Sequence, residues 1–433
     1  MKIIANNIKS GAVLGFLLCI CVVSHAQTNL DYYINAAKTN SPLIKDNQNQ
    51  SEATKIEVER LKALYTKPQV GITASYLFAP VVSQDNGKTT LLLNPENPDK
   101  YIGQDVGLTN GGLYQGLIGV NQPLFMQSKF KVIADEAMIS TKVNENNIRL
   151  TNYELEKIIT DQYILCLQDL NQIKFLNKYI SLLNEQKDLV AKLVNGSVFK
   201  LSDVTLLNIE IQSQLIALQS SQASYKKNLM DMNTIAGITD TSYHELTATA
   251  LQLSTANSIS SFIEKYSLDS SVLIAQQKVF ELRYKPQWNV FANGGINAAN
   301  ISTLPRRFGI TAGISYTKTL FDGRQKEINQ RRTTALLKTS QAYKESFLNQ
   351  NVARKNNLSE QIKAIDARVA LSETQVHEYD KLLSYYKQEL IRGQISIINY
   401  VNTVKSAMAL EKEFITMQTN RQLLINTYNY WNH

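Results

Sequence analysis

The sequence predicts a mainly α chain with a small β part, and three observations carry the prediction. Two stretches of roughly 67 residues, 128–194 and 325–391, contain neither proline nor glycine, the residues that most often interrupt a helix. Four segments of about ten residues, 70–78, 113–122, 288–298 and 307–317, alternate apolar with small or polar side chains, the period of a strand with two unlike faces. The order helix, strand, strand, long helix, turn, helix also occurs twice.

Residues 1–26 read as a secretory signal. Lys2 and Lys9 supply its positive end, GAVLGFLLCICVV its apolar core, and Ser24-His25-Ala26 a cleavage site before Gln27. Cys19 and Cys21 lie in that core without the small-residue context of a lipoprotein site, so no lipid anchor is expected. Cleavage would leave Cys166 alone, which excludes an intrachain disulfide. No later segment holds 18 or more consecutive apolar residues, which argues against a transmembrane helix and leaves a closed barrel as the route into a membrane. The formal charge is +8, or +6 once Lys2 and Lys9 are removed (43 basic minus 37 acidic). Its basic residues are interspersed with acidic ones along the helical stretches, which reads as a solvated surface and not as a nucleic-acid interface.

Taken in order, 30–65 is helical, interrupted at Ser41-Pro42, where proline suits a helix start, and closed by Pro68. Strand 70–78 puts Val70, Ile72, Ala74, Tyr76 and Phe78 opposite Gly71, Thr73, Ser75 and Leu77. A long loop is expected over 80–112 from its Asn-Gly, Asn-Pro and Gly signals. Strand 113–122 sets Tyr114, Ile118 and Val120 on one face, with Leu117 spoiling the other, and Pro123-Leu124-Phe125 closes it. The first rod follows. At 1.5 Å per residue it would extend about 100 Å. Ile159, Cys166, Ile173 and Ile180 recur every seven residues, with Leu176 and Leu183 in the second seam position, as in a coiled coil. Asn195-Gly196 breaks the rod, Ser202 is the expected N-cap, and Ile211, Leu215, Leu218, Tyr225, Leu229 and Met232 mark the returning seam, with Gln222 as a polar interruption.

After a Thr/Ser-rich connection the plan repeats. A helix over 259–284 stops at Pro286; strand 288–298 alternates Trp288, Val290, Ala292, Gly294 and Ile296 with Asn289, Phe291, Asn293 and Asn297. Strand 307–317 places Phe308, Ile310, Ala312, Ile314 and Tyr316 opposite Gly309, Thr311, Gly313, Ser315 and Thr317. The second rod breaks at Arg392-Gly393, and the return carries Ala407, Leu410, Phe414, Met417, Leu424 and Tyr428 on one seam. The expected organisation is a signal peptide (1–26), a first repeat (27–240), a linker (241–257) and a second repeat (258–433).

Strands of this length match the 9–11 residues that cross a bilayer when tilted. Four cannot close a barrel, and open edges are not tolerated in hydrocarbon, so copies must share one. Three chains would supply twelve strands around a lumen wide enough for water. The expected fold is therefore a long coiled-coil-like α-helical barrel plus a transmembrane β-barrel to which each chain gives four strands.

With these elements the chain resembles the TolC family, the outer-membrane efflux proteins of Gram-negative bacteria. The likeness is carried by the helix-to-strand junctions Lys67-Pro68 and Lys285-Pro286, the strand-to-helix junctions Pro123-Leu124-Phe125 and Leu320-Phe321-Asp322-Gly323-Arg324, the two glycine turns, and the repeated order of elements. The resemblance implies a homotrimeric channel-tunnel in the outer membrane, reaching into the periplasm. It further implies partners, namely a periplasmic adaptor and an inner-membrane pump of the resistance-nodulation-division, ABC or major-facilitator type. The role implied is passive export of small molecules or proteins.

The same resemblance places the tip, its gate and the adaptor contact at the helix turns: Asn195, Gly196 and Asp203 in the first, Arg392, Gly393, Ser396, Asn399 and Asn402 in the second. Counted from the glycine of the second turn, the family carries a tyrosine at minus three, an arginine at plus two, and aspartates at plus six and plus nine. Here those offsets fall on Leu390, Ile395, Asn399 and Asn402, and none matches. Asp203 does match a family aspartate, with one extra residue between it and Gly196. An asparagine ring carries no charge and should attract cations weakly. Arg392 is expected to replace the missing arginine, with Asp203 as its partner.

Tyr76, Phe78, Tyr114, Trp288, Phe308 and Tyr316 lie near strand ends and are expected to form membrane-interface girdles; Tyr65, Phe125, Tyr284 and Phe321 are weaker candidates. Cys166 reads as a small buried hydrophobe. His244, His377 and His433 lack metal-ligand spacing, and Met230 and Met232 are too few for a copper stripe. No nucleophile elbow, phosphate-cradling loop or zinc signature is present, so neither enzymatic activity nor a cofactor is expected. The competing readings are a periplasmic coiled-coil adaptor, which would carry one hairpin and not two, and a surface fibre, which would not need matched hairpins.

Overall fold

A computed structural model describes residues 29–78, 81–85, 87–92, 101–102, 112–255, 260–299 and 301–433. The expected signal, 1–26, lies outside the described residues. The helices are α1 (Leu30–Asn40), α2 (Pro42–Thr66), α3 (Gln127–Asn195), α4 (Leu201–Ala236), α5 (Ser261–Glu281), α6 (Gln325–Ile391) and α7 (Ile397–Trp431). The strands are β1 (Gln69–Phe78), β2 (Val81–Asp85), β3 (Lys88–Leu92), β4 (Tyr101–Ile102), β5 (Gly112–Leu124), β6 (Gln287–Ala298) and β7 (Phe308–Thr317). α3 and α6 are continuous over 69 and 67 residues.

The chain divides into two compact units, and each draws on both halves of the sequence. One takes residues up to 48, 146–265 and 343–433; the other takes 49–145 and 266–342.

The first unit is built on helix packing. One cluster joins Leu176, Tyr179, Leu183 and Val190 of α3 to Leu207 and Ile211 of α4, Leu383 and Leu390 of α6, and Tyr400 and Val404 of α7. A second joins Tyr33 and Ala37 of α1 to Ile159, Tyr163, Cys166 and Leu170 of α3 and Tyr225, Leu229 and Met232 of α4. The strict seven-residue line expected on α3 is only partly followed. Ile173 and Ile180 are half-buried, while Tyr163, Leu170 and Tyr179 take buried places. A straight helix at 3.6 residues per turn drifts by about 20° per heptad, which rotates a strict repeat off the core. On α4, Leu215 and Gln222 are exposed and do not belong to the seam. Of the expected α7 line, Leu410, Phe414, Leu424 and Tyr428 are half-buried, and Ile415 and Ile425 lie deeper.

α4 ends at Gly237 in the left-handed conformation (φ +67), where the Ile238 N–H returns to the Asn233 carbonyl at 2.8 Å. The following segment has no secondary structure through residue 255, so helix side chains satisfy its backbone. The Tyr225 hydroxyl donates to the His244 carbonyl (2.6 Å), the Tyr163 hydroxyl to Thr247 (2.6 Å), and Gln422 accepts the Leu251 N–H (2.7 Å).

The second unit holds the four-stranded antiparallel sheet, ordered β1-β5-β6-β7. The segment expected as a loop over 80–112 instead contains a three-stranded sheet, β3-β2-β4. Asp85 pairs with Lys88, and Gly87 takes φ +74, so a hairpin closes here.

Candidate functional site

The sheet has two chemically different faces. In-register rows on one side read Val70, Val120, Ala292, Ala312 and Ile72, Ile118, Gly294, Ile310. Rows on the other read Gly71, Gly119, Asn293, Thr311 and Ser75, Gln115, Asn297, with Ser75 Oγ 3.4 Å from Gln115 Oε1. The apolar face is bare in a single chain: Ile72 is 80% exposed and Ile310 79%. On the polar face four large apolar side chains intrude, and Leu77 pairs with Leu113 at its far end. Leu117 stands opposite Thr73 and Gly295, and the Phe291 ring lies over Gly313, where an added Cβ would sit 2.6 Å from its Cζ.

Aromatic side chains gather at both ends of the apolar face. At the helix-side end Trp288 meets Tyr316, ring centroids 4.7 Å apart; at the far end Tyr76 meets Tyr114 at 4.9 Å. Phe78 and Phe308 are exposed at that far end. β1 and β7 form the two edges, each with one side unpaired among the described residues. All three pairings are antiparallel, so these edge strands run in opposite directions.

The strand-to-helix junctions are tight turns. Phe125 (φ +57) and the pair Gly323 and Arg324 (φ +65 and +67) take left-handed conformations there. Asp322 holds the second junction: Oδ1 accepts the Arg324 N–H and Oδ2 the Lys326 N–H, both at 2.8 Å. With the Tyr284 hydroxyl, these donors hold the Asp322 carboxyl below the ordinary aspartate range. Sequence reasoning identified the turn here but not this cap.

In the helical unit the two glycine turns touch, since a Cβ on Gly393 would lie 3.0 Å from Val198 Cγ1. Gly393 is left-handed (φ +66), as a helix end favours. In the first turn Asn195 ends α3, but the left-handed residue is Ser197 (φ +59) and not Gly196. Ser396 caps α7, its hydroxyl accepting the Asn399 N–H at 3.3 Å. Ser202 does not cap α4, which begins one residue earlier after Lys200; Asp203 reaches back and accepts the Lys200 N–H at 2.8 Å. Arg392, Asn399 and Asn402 are exposed. The ion pair expected between Arg392 and Asp203 is not formed within one chain: among the described residues neither has an ion-pair partner. Val198, Leu201, Ile391 and Ile398 are exposed around the turns.

Among the described residues no cluster of His, Cys, Asp or Glu is arranged to hold a metal. Among the described residues no helix is long and apolar enough to cross a membrane.

A mainly helical chain with a small four-stranded antiparallel sheet matches the fold of solved outer-membrane channels. The Campylobacter jejuni CmeC outer membrane channel superposes with a TM-score of 0.65 at 9% identity, covering 93% of this chain and 85% of that one. The Vibrio cholerae outer membrane protein VceC gives 0.67 at 14% identity, over 93% and 96%. The open state of the Neisseria gonorrhoeae MtrE outer membrane channel gives 0.66 at 11%, over 93% and 88%. No family model and no curated relative matches the sequence. The chain therefore has the outer-membrane channel fold on structural likeness alone.

Proposed function

We propose that this chain is one subunit of a homotrimeric outer-membrane channel-tunnel, a passive conduit for export that extends into the periplasm. The carrying observation is the sheet, with an apolar face bare over most of its length, aromatic pairs at both ends, and two edges that run in opposite directions and pair with no other described strand. An edge β7 set beside the β1 of a second copy is antiparallel, so copies can close a ring without exposing backbone to lipid. Three copies make twelve strands. In this reading Tyr76, Phe78, Tyr114 and Phe308 form the outer girdle, and Trp288 and Tyr316 the periplasmic one.

The helices support the same assembly. Ile209, Ile216 and Met230 fall on one exposed heptad line of α4, an apolar stripe that a neighbouring copy would cover. The two repeats, 27–240 and 258–433, joined by 241–257, supply equivalent hairpins to the wall. The turns around Asn195–Asp203 and Arg392–Asn402 form the periplasmic tip, where an adaptor and an inner-membrane pump would dock. Since Arg392 makes no ion pair within the described residues of one chain, a tip held shut by Arg392 would draw its partner from another copy.

Membrane fractionation with conductance in planar bilayers tests the reading: recovery in the outer membrane and an open pore are expected, and a soluble, non-conducting chain refutes it. Within that experiment Arg392→Ala should raise the closed-state conductance; an unchanged closed state removes Arg392 from the gate.

A further inference from the structure

Basic side chains that look scattered along the sequence gather where the sheet meets the helices. Lys67 lies two residues before β1 and Lys285 two before β6; Lys318 directly follows β7, while Arg324 and Lys326 stand at the start of α6. All five are exposed, and among the described residues none makes an ion pair. The carboxylates nearby are engaged. Asp322 takes two backbone N–H groups, Glu327 pairs with Arg331, and Glu281 accepts from Gln277. Lys129, in the first turn of α3, is 5% exposed, and its ammonium donates to the Lys285 carbonyl at 3.4 Å. Burial, with the neighbouring Lys285 charge, pushes its pKa down.

This positive cluster is continuous with the apolar face. Lys318 has the same parity as Ile314 and Tyr316, one step past the Trp288–Tyr316 row. Beside it Leu320 and Phe321 stand out at 90% and 84% exposure. Apolar side chains next to long cationic ones suit the edge of a bilayer, where stems lie along the acyl region and charges reach the headgroups.

We propose that Lys67, Lys285, Lys318, Arg324 and Lys326, with Leu320 and Phe321 beside them, bind the phosphate headgroups of anionic phospholipids in the leaflet on the helix side. The proposal rests on the membrane reading of the sheet given above. Its chemistry is that of a phosphodiester anion held by several cations at the depth where the aromatic row ends.

Trp288 is a built-in reporter, since it borders the cluster. The chain is reconstituted in vesicles containing brominated phosphatidylglycerol or brominated phosphatidylcholine, and Trp quenching is measured, with Trp288→Phe defining the background from Trp431. The anionic lipid should associate at least about threefold more strongly, and the triple variant Lys285→Gln/Lys318→Gln/Arg324→Gln should lower the ratio, with Lys67→Gln and Lys326→Gln added to it bringing the ratio to about one. Equal quenching by both lipids, or a preference that survives all of these substitutions together, overturns the proposal and leaves the membrane reading standing. No quenching by either lipid refutes the membrane reading itself. Should these variants fail to incorporate, the native chain in rising salt decides: the preference should fall towards one as screening grows, and a salt-independent ratio overturns the proposal.

Discussion

Ile72→Arg and Thr73→Arg change adjacent residues of β1 that point to opposite faces, and together they test which side of the sheet meets lipid. The Tyr114–Ala298 pair and the Trp288–Tyr316 pair mark rows ten residues apart along β6. At ~3.4 Å per residue that is about 34 Å along the strand, or about 26 Å for a strand tilted by ~40°, close to the ~25 Å apolar band of outer-membrane barrels. Ile72 is in register with Gly294, one residue from the middle of that span. An arginine on the lipid face at this depth costs about 2–4 kcal/mol per chain, whereas on the water-filled side it is nearly neutral. Folding into phospholipid vesicles across a urea series, read by the heat-stable assembled band, should show a large loss for Ile72→Arg and a shift within about 0.5 kcal/mol for Thr73→Arg. Equal effects would refute the facial assignment. So would a more soluble and equally stable Ile72→Arg chain, because an isoleucine facing water loses nothing on becoming arginine.

Gly393→Ala should destabilise the tip by about 1–2 kcal/mol, since the position is left-handed and its Cβ would press on Val198 Cγ1, while Gly196→Ala should be close to neutral; chemical denaturation compares them. Cys166 should resist alkylation at pH 8 until the chain unfolds, because burial, then Asp169 and Asp231, pushes its thiol up to about 12; rapid labelling of the folded chain would contradict that burial. The Asp322 carboxyl is depressed in the folded chain, so its capping contribution is full at neutral pH and is lost as pH falls through that depressed value. Amide exchange at Arg324 and Lys326 should therefore stay slow near neutrality and quicken only below the ordinary carboxylate range, and Asp322→Ala should remove the protection at every pH.

Much of the architecture was legible because two periods differ so sharply. The strict alternation in 307–317 and 70–78 admits only a two-faced strand, and 325–391 had nothing in it to stop a helix. Helix ends were read less well, since the decisive contacts are local and interchangeable. Ser202 looked like the cap of α4, but Asp203 can satisfy the helix start from inside the first turn, which moves the boundary to Leu201. Asn195-Gly196 was read as the break in the rod, and the left-handed residue of that break is Ser197. The hairpin in 80–112 was missed although Asn86-Gly87 announced a turn, because the flanking segments alternate only weakly. The basic cluster could not be seen at all: its members sit at 67, 285, 318, 324 and 326, and only strand pairing brings their surroundings to one end of the sheet.

The polar face of the sheet bears on how many copies share the barrel. In an eight-stranded barrel side chains fill the interior completely, which requires bulk on every inward row. Here the inward positions include Gly71, Gly119, Gly295, Gly309 and Gly313 together with Thr73, Ser75 and Asn293, against which Leu117 and the Leu77–Leu113 pair are the inward leucines. The one inward phenylalanine, Phe291, lies over Gly313 instead of standing clear of the sheet. Such a surface would leave a two-copy barrel under-packed, with buried amides and hydroxyls facing a void, a costly arrangement. Water satisfies those same groups once the lumen widens. In the proposed assembly three copies are the smallest number that would provide it, so the small polar residues on this face favour the proposed trimer over a two-copy barrel.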